Sequence, residues 1–285
     1  YIGPVGGLPP PGGLALPGGL PPPGGLPPPG GLPGGLHGGP PPIGPIGNYS
    51  SGAPSIKRQV ILIGDSILDN SYWHDVNNDN TGQTLDKLID KTVFDFRDNS
   101  TEEITAKILS RLMESNRDYK VKDIYIQKRK NINYPYKNDG NVSVHPDKLN
   151  IKSDDIIFLS IGGNDVILNR SFDVDEIITN ITSIKNKFES KGARVIYIMP
   201  YKPTQDMINV NSNIVSFYDI MKNKINTLFN NDIISLEDFT DDDRSHPDNI
   251  PTPEPTKKGA IKIANRINDF LKKIVSGLVD NITLE

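Results

Sequence analysis

Cysteine is absent from the 285 residues, which excludes a disulfide framework, a thiolate nucleophile and a Cys-ligated zinc site without naming a compartment. Charge is absent from residues 1–56, which hold no Lys, Arg, Asp or Glu. No apolar run approaches the roughly 20 residues that span a bilayer as a helix. Blocks of like charge are missing as well: 31 Lys and Arg interleave with 35 Asp and Glu for a net charge of -4. That balance argues against nucleic acid or an anionic membrane as the main partner, and the basic stretch Lys120, Lys122, Lys128, Arg129, Lys130 reads as a solvated face. The chain opens on Tyr1, so the lack of a signal peptide carries no weight.

What is present divides at Lys57. Most of the 26 glycines and 25 prolines precede it, in units such as the GGLPPP of Gly18 to Pro23 and again of Gly24 to Pro29. A collagen helix needs Gly at every third residue, and paired glycines break that rule. Residues 1–56 are therefore expected to form a disordered Gly/Pro-rich tail, extended at the Pro triplets and jointed at the Gly pairs. Leu8, Leu20, Leu26 and Leu32 recur along it, and the alternative to a plain spacer is self-association or a groove-binding protein partner.

Residues 57–285 are long enough to bury roughly 70% of their unfolded surface without metal or crosslink. Short apolar runs alternate there with amphipathic stretches, the pattern of βα units. Strands are expected at Val60 to Ile63, Ile156 to Ile161, Arg194 to Met199 and Ile233 to Leu236. Helices are expected at Thr84 to Lys91, Thr101 to Ser115 behind a Ser100–Glu103 capping box, Val174 to Lys191, Val210 to Phe229 and Thr256 to Val275. The fold class is α/β: a three-layer α/β/α sandwich on a mostly parallel sheet, with its site at the carboxyl ends of the strands. Residues 116–153 fit no βα unit and read as an insertion, a hairpin or long loop.

Three motifs follow predicted strands. Gly64-Asp65-Ser66 comes directly after the first, where a turn exposes the serine hydroxyl and aims its own backbone N–H into the same space; alone, the tripeptide is equally an ordinary turn. Gly162-Gly163-Asn164-Asp165 follows the second and offers an amide donor for a developing oxyanion, or a Gly-Gly-Asn turn. Asp243-Arg244-Ser245-His246-Pro247 lies before the last helix, where a carboxylate three residues ahead of a histidine can fix its tautomer. His145-Pro146 has no carboxylate at that spacing, and neither has His74. No His/Asp/Glu cluster suggests a metal.

Taken together and in this order, the three motifs resemble the SGNH hydrolases, also called GDSL-type lipases or acylhydrolases. The resemblance runs from about Val60 to the C-terminal helix and includes the block Gly64-Asp65-Ser66-Ile67-Leu68-Asp69-Asn70. It implies a flavodoxin-like sandwich, Ser66 as nucleophile, His246 as base, Asp243 as the acid that orients it, and no cofactor or metal. It also implies an oxyanion hole from Ser66, Asn164 and a third position where the family has glycine and this chain has Asn99. Asn tolerates a left-handed backbone better than other non-glycine residues, so Asn99 is expected to donate its N–H from that conformation.

The function expected is hydrolysis of carboxylic esters, of a small molecule, glycan or lipid, through an acyl-enzyme. Tyr72, Trp73 and Tyr201 follow strand ends and are candidates for the pocket wall. Phosphodiester or thioester hydrolysis on the same residues is a variant. The alternative of another class is a catalytically idle scaffold, with the repeat tail making the chain a structural or surface component. A secreted or surface-associated setting is the weak expectation; the Asn-x-Ser/Thr sites arise readily by chance in so Asn-rich a chain.

Overall fold

The computed structural model describes residues 57–70, 80–122, 140–167, 173–210, 212–245 and 254–282, without the side chains of 210, 245 and 278–282. The chain divides into two units, Tyr1–Ala53 and Pro54–Glu285, and every described residue belongs to the second. The repeat tail, Tyr72, Trp73, His74 and His246 all lie outside the described residues.

The strands are β1 (Arg58–Gly64), β2 (Phe94–Asp98), β3 (Tyr119–Lys120), β4 (Asn141–Val142), β5 (Ile156–Ser160), β6 (Arg194–Met199), β7 (Ile233–Ser235), β8 (Arg244–Ser245) and β9 (Glu254–Pro255). The helices are α1 (Thr81–Leu88), α2 (Ala106–Ser115), α3 (Gly163–Ile167), α4 (Val174–Glu189), α5 (Gln205–Val210), α6 (Ile214–Phe229) and α7 (Lys257–Ile282). Five strands form one sheet in the order β2-β1-β5-β6-β7, and every pairing in it is parallel.

Why the sheet lies between two helical layers follows from the period of two along a strand. In β1, Ile61 and Ile63 join Ile157, Leu159, Val195 and Tyr197 on a face covered by α2, α4 and α6. Val60 and Leu62 join Ile156, Phe158, Ile196 and Ile198 on the opposite face, covered by α1 and α7. Strands buried on both faces read as continuous apolar runs, which is how the sequence reveals β1, β5 and β6. The three-layer α/β/α sandwich is therefore the observed fold.

Several boundaries differ from the sequence reading, each for a local reason. Strand β2 was not anticipated, because Phe94-Asp-Phe-Arg-Asp98 alternates instead of running apolar; Phe94 and Phe96 are buried while Asp95 points out. Helix α1 starts earlier than expected, at an Asn80–Gln83 capping box. Helix α2 starts later, at Ala106, with Thr105 as its cap. The Ser100–Glu103 box does not form, since Ser100 N and Oγ both bond Asp98 Oδ1 and Thr101 N bonds Gly64 O at 2.7 Å. The helix begins instead where the Asp165 carboxylate accepts from Ala106 N at 2.7 Å and Lys107 N at 3.3 Å, a favourable anion position. The single helix expected from Val210 to Phe229 is two, α5 and α6. Ser212 and Asn213 precede the second helix, and short polar residues of this kind favour caps and turns over helix interiors.

Within 116–153, β3 pairs antiparallel with β4, and Val121, Val142, Val144 and Leu149 are buried in the α2-side core. Residues 123–139 of that segment lie outside the described residues.

Two glycines give a paired test of these contacts. Gly64 has φ +154°, and a Cβ on it would stand 2.0 Å from the Ser160 carbonyl oxygen; nothing lies within 4 Å of a Cβ on Gly277, inside α7. Urea unfolding of Gly64→Ala should show a loss of at least ~3 kcal/mol or no folded state, since backbone must move. Gly277→Ala should gain about 0.5–1 kcal/mol.

Candidate active site

The carboxyl edge of the sheet is drawn together where β1 meets β5. Asp65 N donates to Ser160 O at 3.0 Å, and Ser160 Oγ donates to Asp65 Oδ1 at 3.0 Å. The chain then turns at once: Leu68 N and Asp69 N both bond Asp65 O at 3.0 Å. This turn lifts Ser66 off the strand end, as a nucleophile requires. Ser66 N–H has no acceptor among the described residues, and Ser66 Oγ donates to Glu254 Oε1 at 3.1 Å.

Glu254, which meets Ser66 here, is a residue that the sequence reading did not single out. It lies in β9, which pairs with β8 so that Ser245 faces Glu254 and Arg244 faces Pro255. Its position is fixed on both sides. Thr256 N bonds Asp243 O at 2.9 Å, Thr256 Oγ1 accepts from Gly259 N at 3.2 Å, and Pro255 O accepts from Asn70 Nδ2 at 3.4 Å. A signal was available: Glu254-Pro255-Thr256 directly abuts the closing helix, whereas His246-Pro247 stands well ahead of it.

Asp243 is buried, and its Oδ2 accepts from Lys262 Nζ at 2.9 Å, Thr240 N at 3.0 Å and Thr240 Oγ1 at 3.2 Å. Its Oδ1 takes no hydrogen bond among the described residues. Burial alone would raise its pKa, but Thr240 N and the Lys262 cation outweigh that and hold it below the usual carboxylate value. His246, the other half of the sequence-expected pair, is outside the described residues.

Two of the residues expected at the oxyanion hole make other contacts here. Asn99 does not adopt a left-handed backbone; its N–H bonds Leu62 O at 2.9 Å as an extension of the β1–β2 pairing, and its side chain donates to Ser143 O at 2.9 Å. Its backbone donor is thus committed to the sheet. Asn164 does line the pocket with Ser66, but its Nδ2 donates to Glu102 O at 2.9 Å and Ile104 O at 3.1 Å. Both amide hydrogens hold the 102–104 loop. Of the three expected donors, Ser66 N–H is the one without an acceptor among the described residues.

Beside Ser66 opens a small pocket of about 60 Å³. Its far wall is apolar, from Val166, Pro200, Met207, Ile214, Phe217 and Met221. Tyr201, the one described aromatic of the three expected, lines it too; its ring stacks on Phe239 at 6.0 Å with the Arg244 guanidinium 5.4 Å away. No Lys, Arg or His lines the pocket among the described residues, whereas Asp65 and Glu254 do.

His145 is buried, and its Nδ1 accepts from Asp147 N at 3.2 Å. Burial lowers its pKa, with Asp147 opposing. Among the described residues no cluster of three or more His, Asp or Glu is arranged to hold a metal ion, and no helix is long and apolar enough to cross a membrane.

No protein-family model and no curated protein matches the chain. Solved structures do. The psychrotrophic esterase EstA of a Pseudoalteromonas species, a structure inhibited by monoethylphosphonate, is 15% identical, and the match covers 77% of this chain and all of that one with a TM-score of 0.52. A lipolytic G-D-S-L family protein of Veillonella parvula is 15% identical over 73% of this chain and 95% of its own, with a TM-score of 0.49. A second such protein, from Desulfitobacterium hafniense, is 13% identical over 75% and 99%, with a TM-score of 0.47. At 15% identity the likeness to EstA shows the fold alone, an α/β sandwich of the kind seen in that esterase.

The buried carboxyls make stability depend on pH. Asp65 is pushed up to about 7, first by burial, against the hydrogen bonds from Ser160 Oγ and Ile67 N and with Asp165 adding repulsion. A carboxyl with a folded pKa above its unfolded value holds extra protons in the folded state, so its contribution to stability falls as pH rises through that interval, here from 3.8 to about 7. Asp65→Asn keeps an acceptor for Ser160 Oγ and Ile67 N and removes the ionisation. Thermal unfolding followed across that interval should show the variant gaining on the wild type as pH rises, by up to ~4 kcal/mol at neutrality. Parallel curves at every pH would mean that Asp65 titrates normally.

Proposed function

We propose that this protein hydrolyses neutral carboxylic esters with an apolar acyl group through an acyl-enzyme on Ser66. The observation that carries the reading is Ser66 Oγ hydrogen-bonded to a carboxylate at the rim of an apolar pocket, at the carboxyl edge of a parallel sheet. A hydroxyl there attacks the ester carbonyl once a neighbouring base accepts its proton, and the Ser66 N–H is positioned to meet the developing oxyanion. Two groups are available as that base: His246 with Asp243 as its orienting acid, and Glu254. Water then releases the acid from the acyl-enzyme.

The lining also supports a substrate class. Without a cation in the described lining, a phosphodiester would find no described group there to balance its negative charge. An apolar acyl chain fits the far wall of Val166, Met207, Ile214, Phe217 and Met221, where each buried methylene contributes about 0.8 kcal/mol.

A second reading is a catalytically idle scaffold in which the repeat tail supplies the contacts to a protein partner or a second copy. It is favoured by one specific observation, the engagement of Asn99 N–H and of both Asn164 amide hydrogens by carbonyl oxygens.

A panel of p-nitrophenyl esters together with a fluorophosphonate probe separates the two. The enzyme reading expects a single label, lost in Ser66→Ala, and kcat/KM at least tenfold higher for the hexanoate than for the acetate. A folded wild type that neither labels nor turns over any ester establishes the scaffold, and labelling that survives Ser66→Ala moves the chemistry to another residue.

A further inference from the structure

We infer that Lys262 is a positioning residue of the ester-hydrolase site: it pins one oxygen of Asp243 and so keeps the other open for the imidazole of His246. The inference rests on the proposed hydrolysis, with His246 as base and Asp243 as its orienting acid. Its ground is an asymmetry in the Asp243 carboxylate. Oδ2 accepts from Lys262 Nζ at 2.9 Å, Thr240 N at 3.0 Å and Thr240 Oγ1 at 3.2 Å. Oδ1 is buried and takes no hydrogen bond among the described residues. A buried acceptor left without a donor is costly. An open carboxylate oxygen three residues ahead of a histidine is what an orienting acid supplies.

Lys262 reaches Asp243 from α7, which lies so close to the preceding loop that a Cβ on Gly259 would stand 1.9 Å from Asp243 O. Three residues further on, Lys262 lies on the same face of the helix. Its Nζ also donates to Asp238 O at 3.3 Å and stands 4.6 Å from the centre of the Phe239 ring. The ammonium is therefore fixed in direction as well as distance. Arg266, one turn along α7, provides a contrast within the same cluster. It binds the Asp238 carboxylate and stands 5.5 Å from the same ring, and its described hydrogen bonds go to Ser235 and Asp238, not to Asp243.

The same ammonium governs the charge of the acid. Burial raises the Asp243 pKa, and Thr240 N and the Lys262 cation outweigh that. The charged groups around Asp243 are Lys258, Lys262 and Arg266 on α7, Asp238 and Asp242 after β7, Arg244 on β8 and Glu254 on β9. Lys258 pairs with Asp242 at 3.1 Å, Arg266 with Asp238, and Arg244 Nη1 donates to Lys202 O at 2.6 Å. Among the described residues, Lys262 is the cation in contact with Asp243. An ionised Asp243 stabilises the imidazolium that forms when His246 takes the Ser66 proton. Loss of the cation raises the pKa of the buried carboxyl, so the acid limb of activity moves to higher pH and the chemical step slows.

The test follows p-nitrophenyl hexanoate hydrolysis by the full chain against pH in wild type, Lys262→Met, Lys262→Arg, Arg266→Met and His246→Gln, with thermal unfolding of each. Lys262→Met keeps an apolar stem on Phe239 and removes the charge. It is expected to lower kcat by about tenfold or more with KM within about twofold, and to move the acid limb upward by ~0.5 unit or more. Lys262→Arg should return the limb and restore the rate to within about threefold of wild type, since its guanidinium stays charged. Arg266→Met should lower the melting temperature and leave the limb in place with kcat within about twofold. If Lys262→Met does not fold, Lys262→Gln, which keeps a donor without the charge, carries the same expected shift of the limb. A Lys262→Met with the rate and limb of wild type overturns the inference, as does an Arg266→Met that shifts the limb equally. A His246→Gln that retains the wild-type rate overturns it too, while leaving Ser66 as nucleophile. A wild type inert to the ester and to a fluorophosphonate probe removes the ester-hydrolase reading itself.

Discussion

The close approach of β1 and β5 at their carboxyl ends is the constraint on which the rest depends. Ser160 meets Gly64 and Asp65 through one backbone and one side-chain hydrogen bond, and only glycine leaves room for the Ser160 carbonyl. Because the two strands touch there, the chain must leave the sheet within one residue, and Ser66 is lifted to the rim. From the same edge, the chain after β5 turns through Gly162 into α3, whose Asp165 receives the start of α2. The site is thus assembled from consecutive departures from one sheet edge, as open parallel sheets generally allow.

A second consequence is a concentration of buried acids. Asp65, Asp165 and Glu254 are all raised by burial, and no lining cation among the described residues offsets Asp65 and Glu254. Burial in a low-dielectric site disfavours the ionised form of a carboxyl. A fold stabilised only for packing would gain by replacing them with apolar residues, since even a buried ion pair is often no better than well-packed hydrophobic side chains. Groups with perturbed protonation gathered beside a serine and a pocket mark a candidate functional site.

Much of the architecture was legible in the amino-acid order. Val60 to Ile63, Ile156 to Ile161 and Arg194 to Met199 are apolar on consecutive positions, which only a strand covered on both faces tolerates, and each maps onto a strand of the sheet. The Gly-Asp-Ser and Gly-Gly-Asn-Asp motifs could be placed at strand ends for the same reason. Phe94 to Asp98 escaped because an edge strand alternates, and α2 was started too early because Ser100 bonds Asp98 instead of capping a helix.

What the sequence by itself determined is the set of local preferences: strand runs, helix faces, turn glycines, and a serine directly after a buried strand. Tertiary structure alone decided which donors and acceptors meet. Asn99 and Asn164 carry suitable groups, yet their partners are carbonyls of Leu62, Glu102 and Ile104, which the order of residues does not bring into view. Glu254 reaches Ser66 across 188 positions of chain. A pattern search keyed to a histidine passes over it, because hydrogen bonding depends on distance and direction in space, whereas sequence spacing constrains these only within a few residues of the same element.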